Sequence, residues 1–492
     1  MRGLSLKPLS RFWPERSGPP AKREGSESLF RGLGKTLAAQ AFGLGPSSPV
    51  KDARGRIGAR SLLGAFALLA LSGCEAGDDK THIYLQRFFG ECGAEFGAST
   101  DVAKSEGECG IMTSLINRFN AENPDVRVDV NVVAWPGYPQ LTAQMAARDP
   151  PDLVTMHQGV ISDYAAKGLL EAVEPYLAQA GIRPDSFTEA SRLGVTMGGR
   201  IYGLPWDTHG GLFHINTALF AQARLMRGGK PVLPNSAEEL IAQARQFQAR
   251  TGKPYLIQSN VADPAYAARN QYTYMMALGA PLFPDARHIR LNTPEGRRVA
   301  AFFRRINEER LGTQNMDTPA AIAAFVSGEG GIYPTGTWMI GSFEKEAKTP
   351  GRPLYQSYAV FPYPRLWGQR VEFVGGHAWV VPARERSAKQ REAISRFFRF
   401  MAAHNFDWAR TGHIPAFKAV LEDPRFKALP HRADIALLGE IGRPLPSHVR
   451  RQAAIEGLVG EDMAAAYTGQ KPVDQALADA ERRVNELLNE LD

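Results

Sequence analysis

The feature of this sequence that most restricts its fold is the alternation of strand-like and helix-like segments. Residues 82–89 and 151–157 are short apolar runs, and residues 126–131 alternate valine with polar side chains; these patterns predict strands. Between them, residues 111–122 carry apolar side chains every three to four positions, which predicts an amphipathic helix. A further helix is predicted at 160–170. We therefore expect the α/β class, with largely parallel sheets.

The length and composition of the chain indicate packed domains rather than disorder. The chain has 492 residues, of which 44% are hydrophobic and 22% are charged. On length alone this is enough for about three domains or for two large lobes. No internal repeat is evident, which argues against a surface adhesin built from β-rich repeats.

A secretory leader is predicted before the folded part. Three arginines at 54–60 precede an uncharged apolar run at 61–71, and the segment ends in Leu-Ser-Gly-Cys at Cys74. A basic region, a short apolar region and small residues before a cleavage point are typical of a signal peptide. Eleven helical residues rise only about 16 Å, which is too short to span a bilayer core of about 30 Å.

The Leu-Ser-Gly-Cys ending resembles a bacterial lipobox. That resemblance implies cleavage before Cys74, lipidation of Cys74 and an N-terminal membrane anchor; an ordinary signal peptide with an incidental cysteine is the alternative. We expect a lipoprotein signal peptide at 51–74 and a short polar tether at 75–80. Residues 1–50 do not fit such a leader, and we expect them to be a non-domain extension from a start codon assigned too early.

The positive charge of the chain lies in its leader. Residues 1–74 contain 12 basic and 4 acidic side chains, which leaves 46 basic and 47 acidic side chains in residues 75–492. A nucleic-acid-binding protein needs a basic surface on its folded domain, so no nucleic-acid partner is expected.

Two cysteines remain if a lipid occupies Cys74. Cys92 and Cys109 are separated by 16 residues rich in Gly, Ser and Glu, and in an exported protein such a pair predicts a disulfide. A metal site at this pair is less favoured, because neither a CxxC motif nor clustered histidines accompany it. No metal site and no cofactor are predicted for the chain.

Eight stretches of the sequence carry a family resemblance. Examples are INRFNAENPDVRV, GGRIYGLPWDTHGGLFHINTALF and FVSGEGGIYPTGTW. Together they resemble, in order, the extracellular solute-binding proteins (family 1) of bacterial ABC importers, the class that includes maltose-binding protein. Each stretch is weakly specific alone, and the loop between Cys92 and Cys109 is extra to the common pattern. The eight stretches are 116–128, 151–173, 198–220, 234–247, 325–338, 375–382, 412–417 and 467–488.

The resemblance implies a two-lobed periplasmic-binding-protein fold of type II, with discontinuous lobes joined by hinge strands. We place the first crossing between lobes near 205–215 and the second near 358–364, and Gly210-Gly211 could absorb a hinge motion. The expected bounds are 81–210 and 365–430 for lobe 1, and 211–364 and 431–492 for lobe 2.

A sugar has apolar C–H faces and a rim of hydroxyls, so a sugar site needs aromatic platforms and polar side chains. The resemblance puts a stacking tryptophan at Trp338 and ligand contacts beside the first crossing. His157 and Gln158 follow a strand at its carboxyl end, where ligands bind in open parallel sheets. The candidates are Trp338, Trp206, Asp207, His209, His157, Gln158, Gly375, Gly376, His377, Arg87 and Phe88, each with a packing or turn role as the alternative.

Some residues are weaker candidates for the same cleft. A packing, capping or bracing role is the competing interpretation for each of them, and for His413 it is the preferred one. They are Trp379, Trp135, Tyr138, Gln258, Asn260, Asn270, Tyr272 and His413.

These observations predict a monomeric, lipid-anchored receptor of the periplasm or cell surface that captures a di- or oligosaccharide or a glycoside. Its partners would be that carbohydrate and the permease subunits of an ABC importer. A carbohydrate-active enzyme, either a glycosidase or a lyase, is the alternative, although no GxSxG or HExxH motif is present. A binding protein for a polyamine or another non-sugar solute is the third possibility.

Overall fold

The computed structural model describes residues 79–261 and 263–490. The predicted extension at 1–50, the signal peptide at 51–74 with its lipidation site Cys74, and most of the tether therefore lie outside the described residues. Of the helices within the described part, none has the length and apolarity that a bilayer crossing requires.

The described strands are short except for the one that lies between the lobes. They are β1 (Thr81–Arg87), β2 (Val126–Val132), β3 (Leu153–His157), β4 (Thr196–Met197), β5 (Arg200–Ile201), β6 (Leu204–Pro205), β7 (Asp207–Asn216), β8 (Met226–Arg227), β9 (Lys230–Pro231), β10 (Ile332–Gly336), β11 (Tyr358–Pro362), β12 (Glu372–Gly375), β13 (His377–Val380), β14 (Ile414–Pro415) and β15 (Gly442–Arg443).

Helices connect these strands and cover the sheets. The α-helices are α1 (Gly93–Phe96), α2 (Gly107–Glu122), α3 (Tyr138–Ala146), α4 (Gln158–Ala165), α5 (Glu174–Ala180), α6 (Glu189–Val195), α7 (Thr217–Gln222), α8 (Ala237–Thr251), α9 (Pro264–Ala277), α10 (Pro294–Glu308), α11 (Thr318–Val326), α12 (Ile340–Lys348), α13 (Ala388–Ala403), α14 (Asn405–Ala409), α15 (Lys418–Glu422), α16 (Pro424–Ala428), α17 (Arg432–Ile435), α18 (Leu438–Ile441), α19 (Gln452–Tyr467) and α20 (Val473–Asn489). Short 3-10 helices span Val102–Lys104, Pro184–Ser186 and Thr337–Met339.

The first sheet has the strand order β2-β1-β3-β13-β6. β1 runs parallel to β2 and β3, as the sequence predicts, but β13 runs antiparallel to both β3 and β6. The difference has a topological cause: β3 ends at the boundary between the lobes, whereas β13 enters the sheet there, so their directions are opposite. The expectation of largely parallel sheets therefore holds for only part of this sheet.

The second sheet is built around the ten-residue strand β7. β10 and β11 pair antiparallel with the later part of β7, and β12 and β14 pair antiparallel with its first residues. Its sequence, DTHGGLFHIN, is buried at nearly every position. Because β7 is buried on both faces, its sequence does not alternate between apolar and polar residues, which is why the period of two is weak here.

The chain crosses between the sheets at points that differ in part from the predicted ones. The first crossing leads from β6 through Trp206 into β7, at the start of the predicted range. The chain returns to the first sheet at Gly376, between β12 and β13, whereas the second crossing was predicted near 358–364. Those residues form β11, which is hydrogen-bonded along β7 from Asn216 to Leu212 and so belongs to the second sheet.

Three hydrophobic cores lie within the described residues, and one of them packs Leu212 and Val360 of the second sheet against Ile414, Ile435 and Leu438. A second core combines residues between 83 and 206 with residues between 378 and 417. Another combines residues between 213 and 367 with the last two helices, whose buried stripe on α20 includes Leu477, Val484 and Leu488. The chain therefore forms two discontinuous α/β lobes, as predicted, while the exact residue bounds of the lobes stay a prediction.

The predicted disulfide between Cys92 and Cys109 is confirmed. It links the residue before α1 to the first turn of α2 and closes a loop on the first lobe.

We expect that replacing both cysteines with serine lowers the free energy of unfolding by about 3 kcal/mol, because the unfolded chain regains the entropy that a loop of this length loses when it is closed. Urea denaturation of the two proteins measures this difference. A reductant should destabilise the wild-type protein and leave the double variant unchanged; equal midpoints for the oxidised wild type and the variant would contradict the expectation.

Candidate functional site

Four histidines from separate parts of the chain meet where the two sheets adjoin. They are His157 at the end of β3, His209 in β7, His377 at the start of β13 and His413 just before β14. Ring centroids are 4.7 Å apart for His157 and His377, 5.0 Å for His209 and His377, and 5.5 Å for His377 and His413. We refer to these four residues as the histidine cluster.

Strand register brings the histidine cluster together. His377 lies directly opposite His157 in the β3–β13 pair. Gly375 lies opposite His209 in the β7–β12 pair, where a side chain would collide with the imidazole, since a Cβ would stand 2.7 Å from its Cε1. The next residue, Gly376, lies against the carbonyl oxygen of Asp207 and the amide of Gln158. The space beside both glycines is therefore taken by atoms of the protein itself, while the ligand contacts predicted at Gly375 and Gly376 stay a prediction.

Asp207 is fully buried and holds His377 in place. Its carboxylate accepts hydrogen bonds from the backbone N–H of His377 at 3.0 Å, from Nδ1 of His377 at 2.9 Å and from Nε1 of Trp408 at 2.7 Å. Burial alone raises the pKa of a carboxyl group, but the adjacent histidines outweigh it and hold the pKa of Asp207 below its usual range. Asp207 is therefore ionised and positions His377 in this structure, and the predicted ligand contact at Asp207 stays a prediction.

His413 closes the buried side of the cluster. Its Nε2 lies 2.6 Å from Glu108 Oε1, and its Nδ1 lies 3.3 Å from the hydroxyl of Thr337. Although burial lowers the pKa of His413, the carboxylates of Asp207 and Glu108 raise it above the usual value overall. The residue links α2 to the 3-10 helix Thr337–Met339 through the loop before β14, in line with the bracing role that was preferred for it.

The pKa values of His157 and His209 are shifted in the opposite direction from that of His413. Burial, followed by the charge of neighbouring histidines, lowers the pKa of both well below the usual value, so both rings are neutral. Nδ1 of His157 lies 2.7 Å from the hydroxyl of Tyr138, which also accepts the backbone N–H of His157. Within the described ranges, neither ring nitrogen of His209 has a hydrogen-bond partner.

Two exposed tryptophans flank the histidine cluster. Trp338 of the second lobe is 38% exposed and lies edge-to-face with His209 at 5.6 Å; Trp135 of the first lobe is 69% exposed and lies edge-to-face with His157 at 5.8 Å. The indole of Trp338 folds back over Gly336, where no Cβ could be accommodated. We call Trp135, Trp338 and the two histidines that they contact the cleft site.

Arg269 on α9 is a cleft residue that sequence reasoning missed. Its guanidinium lies 5.9 Å from the ring of Trp338 and forms a two-point ion pair with Glu456, with Nη2 2.9 Å from Oε1. The sequence feature that could have identified Arg269 is that it is the single charged residue in the helix PAYAARNQYTYMMA. The ion pair anchors α9 to α19, and the carboxylate offsets the charge that Arg269 brings to the cleft site.

Several of the predicted contacts are buried and have partners within the protein. Trp206 and Trp379 pack edge-to-face at 5.7 Å within the core of the first lobe. Gln158 is buried, and its amide donates to the carbonyl oxygens of Asp207 and His377 at the crossing. These side chains join the two crossings to the first lobe and do not reach the cleft surface.

Phe88 and Arg87, the candidates at the end of the first strand, have partners within the first lobe. Phe88 is buried and stacks on His157 at 5.0 Å. Arg87 donates to the carbonyl oxygens of Phe88 and Gly90 and to the hydroxyl of Thr113, and burial lowers its pKa to about 10.

The weaker second-lobe candidates are likewise buried and bonded within their own lobe. Asn270 donates to the carbonyl oxygen of Tyr266, and Gln258 donates to the hydroxyl of the same tyrosine. Asn260 pairs with Asn307, and Tyr272 packs against Phe373.

Comparison with known proteins identifies relatives with the same architecture. Residues 114–434 match the family described as bacterial extracellular solute-binding protein. The sn-glycerol-3-phosphate-binding periplasmic protein UgpB of Escherichia coli (strain CFT073) is 22% identical over 407 residues, which cover 78% of this chain and 90% of that protein.

Solved structures of sugar-binding proteins share the fold. The cyclic alpha-maltosyl-1,6-maltose binding protein of Arthrobacter globiformis superposes with a TM-score of 0.68 at 18% identity, covering 84% of this chain and 100% of that chain. The sugar-binding protein MalE of Xanthomonas citri superposes with a TM-score of 0.67 at 17% identity, covering 83% and 98%. The GacH receptor of Streptomyces glaucescens, solved unliganded and with acarbose, gives 0.67 at 16% identity, covering 84% and 100%.

Proposed function

Since this chain belongs to the bacterial extracellular solute-binding proteins, we propose that it captures a carbohydrate between its lobes and delivers it to the permease of an ABC importer. The solute would be a di- or oligosaccharide or a glycoside. The proteins with which it shares its fold include several that bind oligosaccharides, such as one complexed with maltotetraose.

The observation that carries the proposal is the pair of exposed tryptophans at the cleft site. Trp135 and Trp338 come from different lobes, and each touches a histidine of the same cluster. Aromatic rings stack on the apolar faces of sugars, and imidazole nitrogens can donate to or accept from hydroxyl groups. A polyhydroxylated ring held between the two indoles would satisfy both kinds of contact.

The charges at the cleft site favour an uncharged solute. Arg269 is paired with Glu456, so no unpaired guanidinium stands ready for a phosphate among the described residues of this site. The nearby carboxylates of Asp207 and Glu108 are bonded to histidines, so they are not available to a polyamine. A polyhydroxylated neutral ligand fits these pairings better than the alternatives.

The same pairings support binding rather than catalysis. A glycosidase needs two carboxyl groups on either side of the bond that it cleaves. Asp207 is fully buried and accepts three donors, and Glu108 is bonded to His413, which leaves neither free for proton transfer to a sugar. We therefore assign no reaction to the chain.

Capture would proceed by closure of the lobes around the crossing strands, because a ligand that touches both lobes stabilises the state in which they are close. We place the protein outside the cytoplasmic membrane, held there by a lipid on Cys74, as a monomer that docks on the permease. The importer, and not this chain, would supply the energy for transport.

A thermal-shift screen of the chain from residue 75 tests the proposed ligand class. We expect one class of sugar to raise the unfolding midpoint, since a ligand at a hundred times its Kd stabilises by about 2.7 kcal/mol, and we expect no product by chromatography. sn-Glycerol 3-phosphate and spermidine serve as comparison ligands. A shift with one of these and with no sugar would replace the carbohydrate proposal, and turnover of a sugar would establish an enzyme.

A further inference from the structure

Three residues of the histidine cluster have a ring nitrogen available to a metal ion. His157, His209 and His377 each offer one ligand nitrogen, and these three atoms lie within 4.8 Å of one another. Nitrogens around a tetrahedral zinc ion at about 2.0–2.1 Å stand about 3.4 Å apart, so movements of under about 1 Å would close the set. We propose that these three imidazoles bind a divalent transition-metal ion of the zinc type at the base of the cleft.

Hydrogen bonds on the far side of two rings prepare them as ligands. Nδ1 of His377 lies against the carboxylate of Asp207, and Nδ1 of His157 lies against the hydroxyl of Tyr138. An imidazole that donates its Nδ1–H to an oxygen presents the lone pair of Nε2, and histidine ligands of metals commonly have such a partner. The third ring, that of His209, has both nitrogens free within the described residues and room beside Gly375.

A second possible metal site in the same cluster is already occupied by hydrogen bonds. Asp207, His377 and His413 also bring ligand atoms within 4.8 Å of one another. However, Asp207 accepts from Trp408 and His377, and both nitrogens of His413 face protein partners, namely Glu108 and Thr337. An ion there would have to break these bonds, whereas the first set loses none.

The donor set and its surroundings suit zinc rather than a harder cation. Three imidazoles without a carboxylate are poor ligands for Mg²⁺ or Ca²⁺ and good ligands for Zn²⁺. The carboxylate of Asp207, behind His377, offsets part of the positive charge, and the charge of Arg269 is offset by Glu456. Three protein ligands leave one position of a tetrahedral ion for water or for an oxygen of a bound solute.

The test is a titration of the purified protein, produced without a polyhistidine tag, with Zn²⁺ and with Co²⁺. We expect one Zn²⁺ per chain by calorimetry and the visible absorption bands of tetrahedral Co²⁺. His209→Ala should weaken Zn²⁺ binding more than 100-fold, since loss of even a second-shell partner typically costs about 10- to 100-fold. His288→Ala is the matched control, because His288 is exposed and paired with Asp285 on the second lobe; its affinity should equal that of the wild type.

Two results would overturn the proposal of a metal site. One is a failure of the wild-type protein to bind Zn²⁺ or to give the Co²⁺ bands; the other is equal Zn²⁺ affinity in the wild type and the His209→Ala variant. His157→Gln, checked by its thermal midpoint, provides a second ligand variant if His209→Ala does not fold. Sugar binding is measured in a separate titration, on protein from which a chelator has removed any metal. A failure of the metal site and a failure of the carbohydrate proposal therefore give different results.

Discussion

Replacing Trp338 with alanine is expected to weaken carbohydrate binding more than tenfold while leaving the stability of the protein nearly unchanged. The indole is 38% exposed and faces the cleft beside His209, so its removal takes away a stacking surface for the solute and opens no cavity in a core. Tenfold corresponds to about 1.4 kcal/mol, and a central aromatic contact commonly contributes more than this. Calorimetric titration with the sugar identified in the screen measures the effect.

Tyr355→Ala is the matched control for the tryptophan. Tyr355 has the same exposed fraction, 38%, and precedes β11 at the far end of β7 from His209. It should bind the sugar as the wild type does. Unchanged affinity of Trp338→Ala together with a lowered unfolding midpoint would show that Trp338 is a packing residue, and the proposal for the cleft site would then fail.

Replacing Arg386 with methionine is expected to destabilise the protein by about 3–5 kcal/mol. The side chain of Arg386 is completely buried between Asp152 and Glu171, with Nε 3.1 Å from Asp152 Oδ1. Asp152 is also buried, so removal of the arginine leaves a carboxylate in the interior without its main partner. Because Asp152 precedes β3 and Arg386 follows β13, the ion pair joins two strands that carry cleft histidines.

The neighbouring Arg391 offers a control within the same network. It reaches the other oxygen of Glu171 at 3.1 Å, but nearly half of its side chain is exposed, and exposed ion pairs contribute at most about 1 kcal/mol. Urea denaturation should therefore show a large loss of stability for Arg386→Met and a small one for Arg391→Met. Comparable losses for the two variants would mean that burial of the first pair does not determine its contribution.

Local patterns in the sequence predicted the elements whose residues interact with their near neighbours. Val126 and Val128 of β2 alternate with polar residues because both are buried, although Val130, the next valine in the pattern, is exposed; the apolar spacing of α2 reflects its packing on the first sheet. The disulfide was predictable for the same reason, since the two cysteines are close to each other in the sequence. The pairing of β11 with β7 could not be predicted in this way, because the two strands are more than 140 residues apart in the sequence.

The cleft was predictable in its residue types but not in their roles. Trp206 and Trp338 both follow strands, and only the tertiary fold shows that the first packs in a core and the second faces solvent. The histidines were recognised one at a time, and their convergence depends on the pairing of β13 with β3 across 220 positions. Periodicity and spacing carry no information on such distant pairs.

The position of β13 within the first sheet has a consequence for how the polypeptide acquires its structure. The strand lies between β3 and β6, yet it is made after the whole of the second sheet's β10 and β11. Until residue 380 has emerged from the ribosome or the export channel, β3 and β6 each have an unsatisfied edge, and exposed edges favour aggregation. Each lobe needs strands or helices from the last quarter of the chain, so we expect fragments divided between the lobes to be insoluble when they are expressed separately.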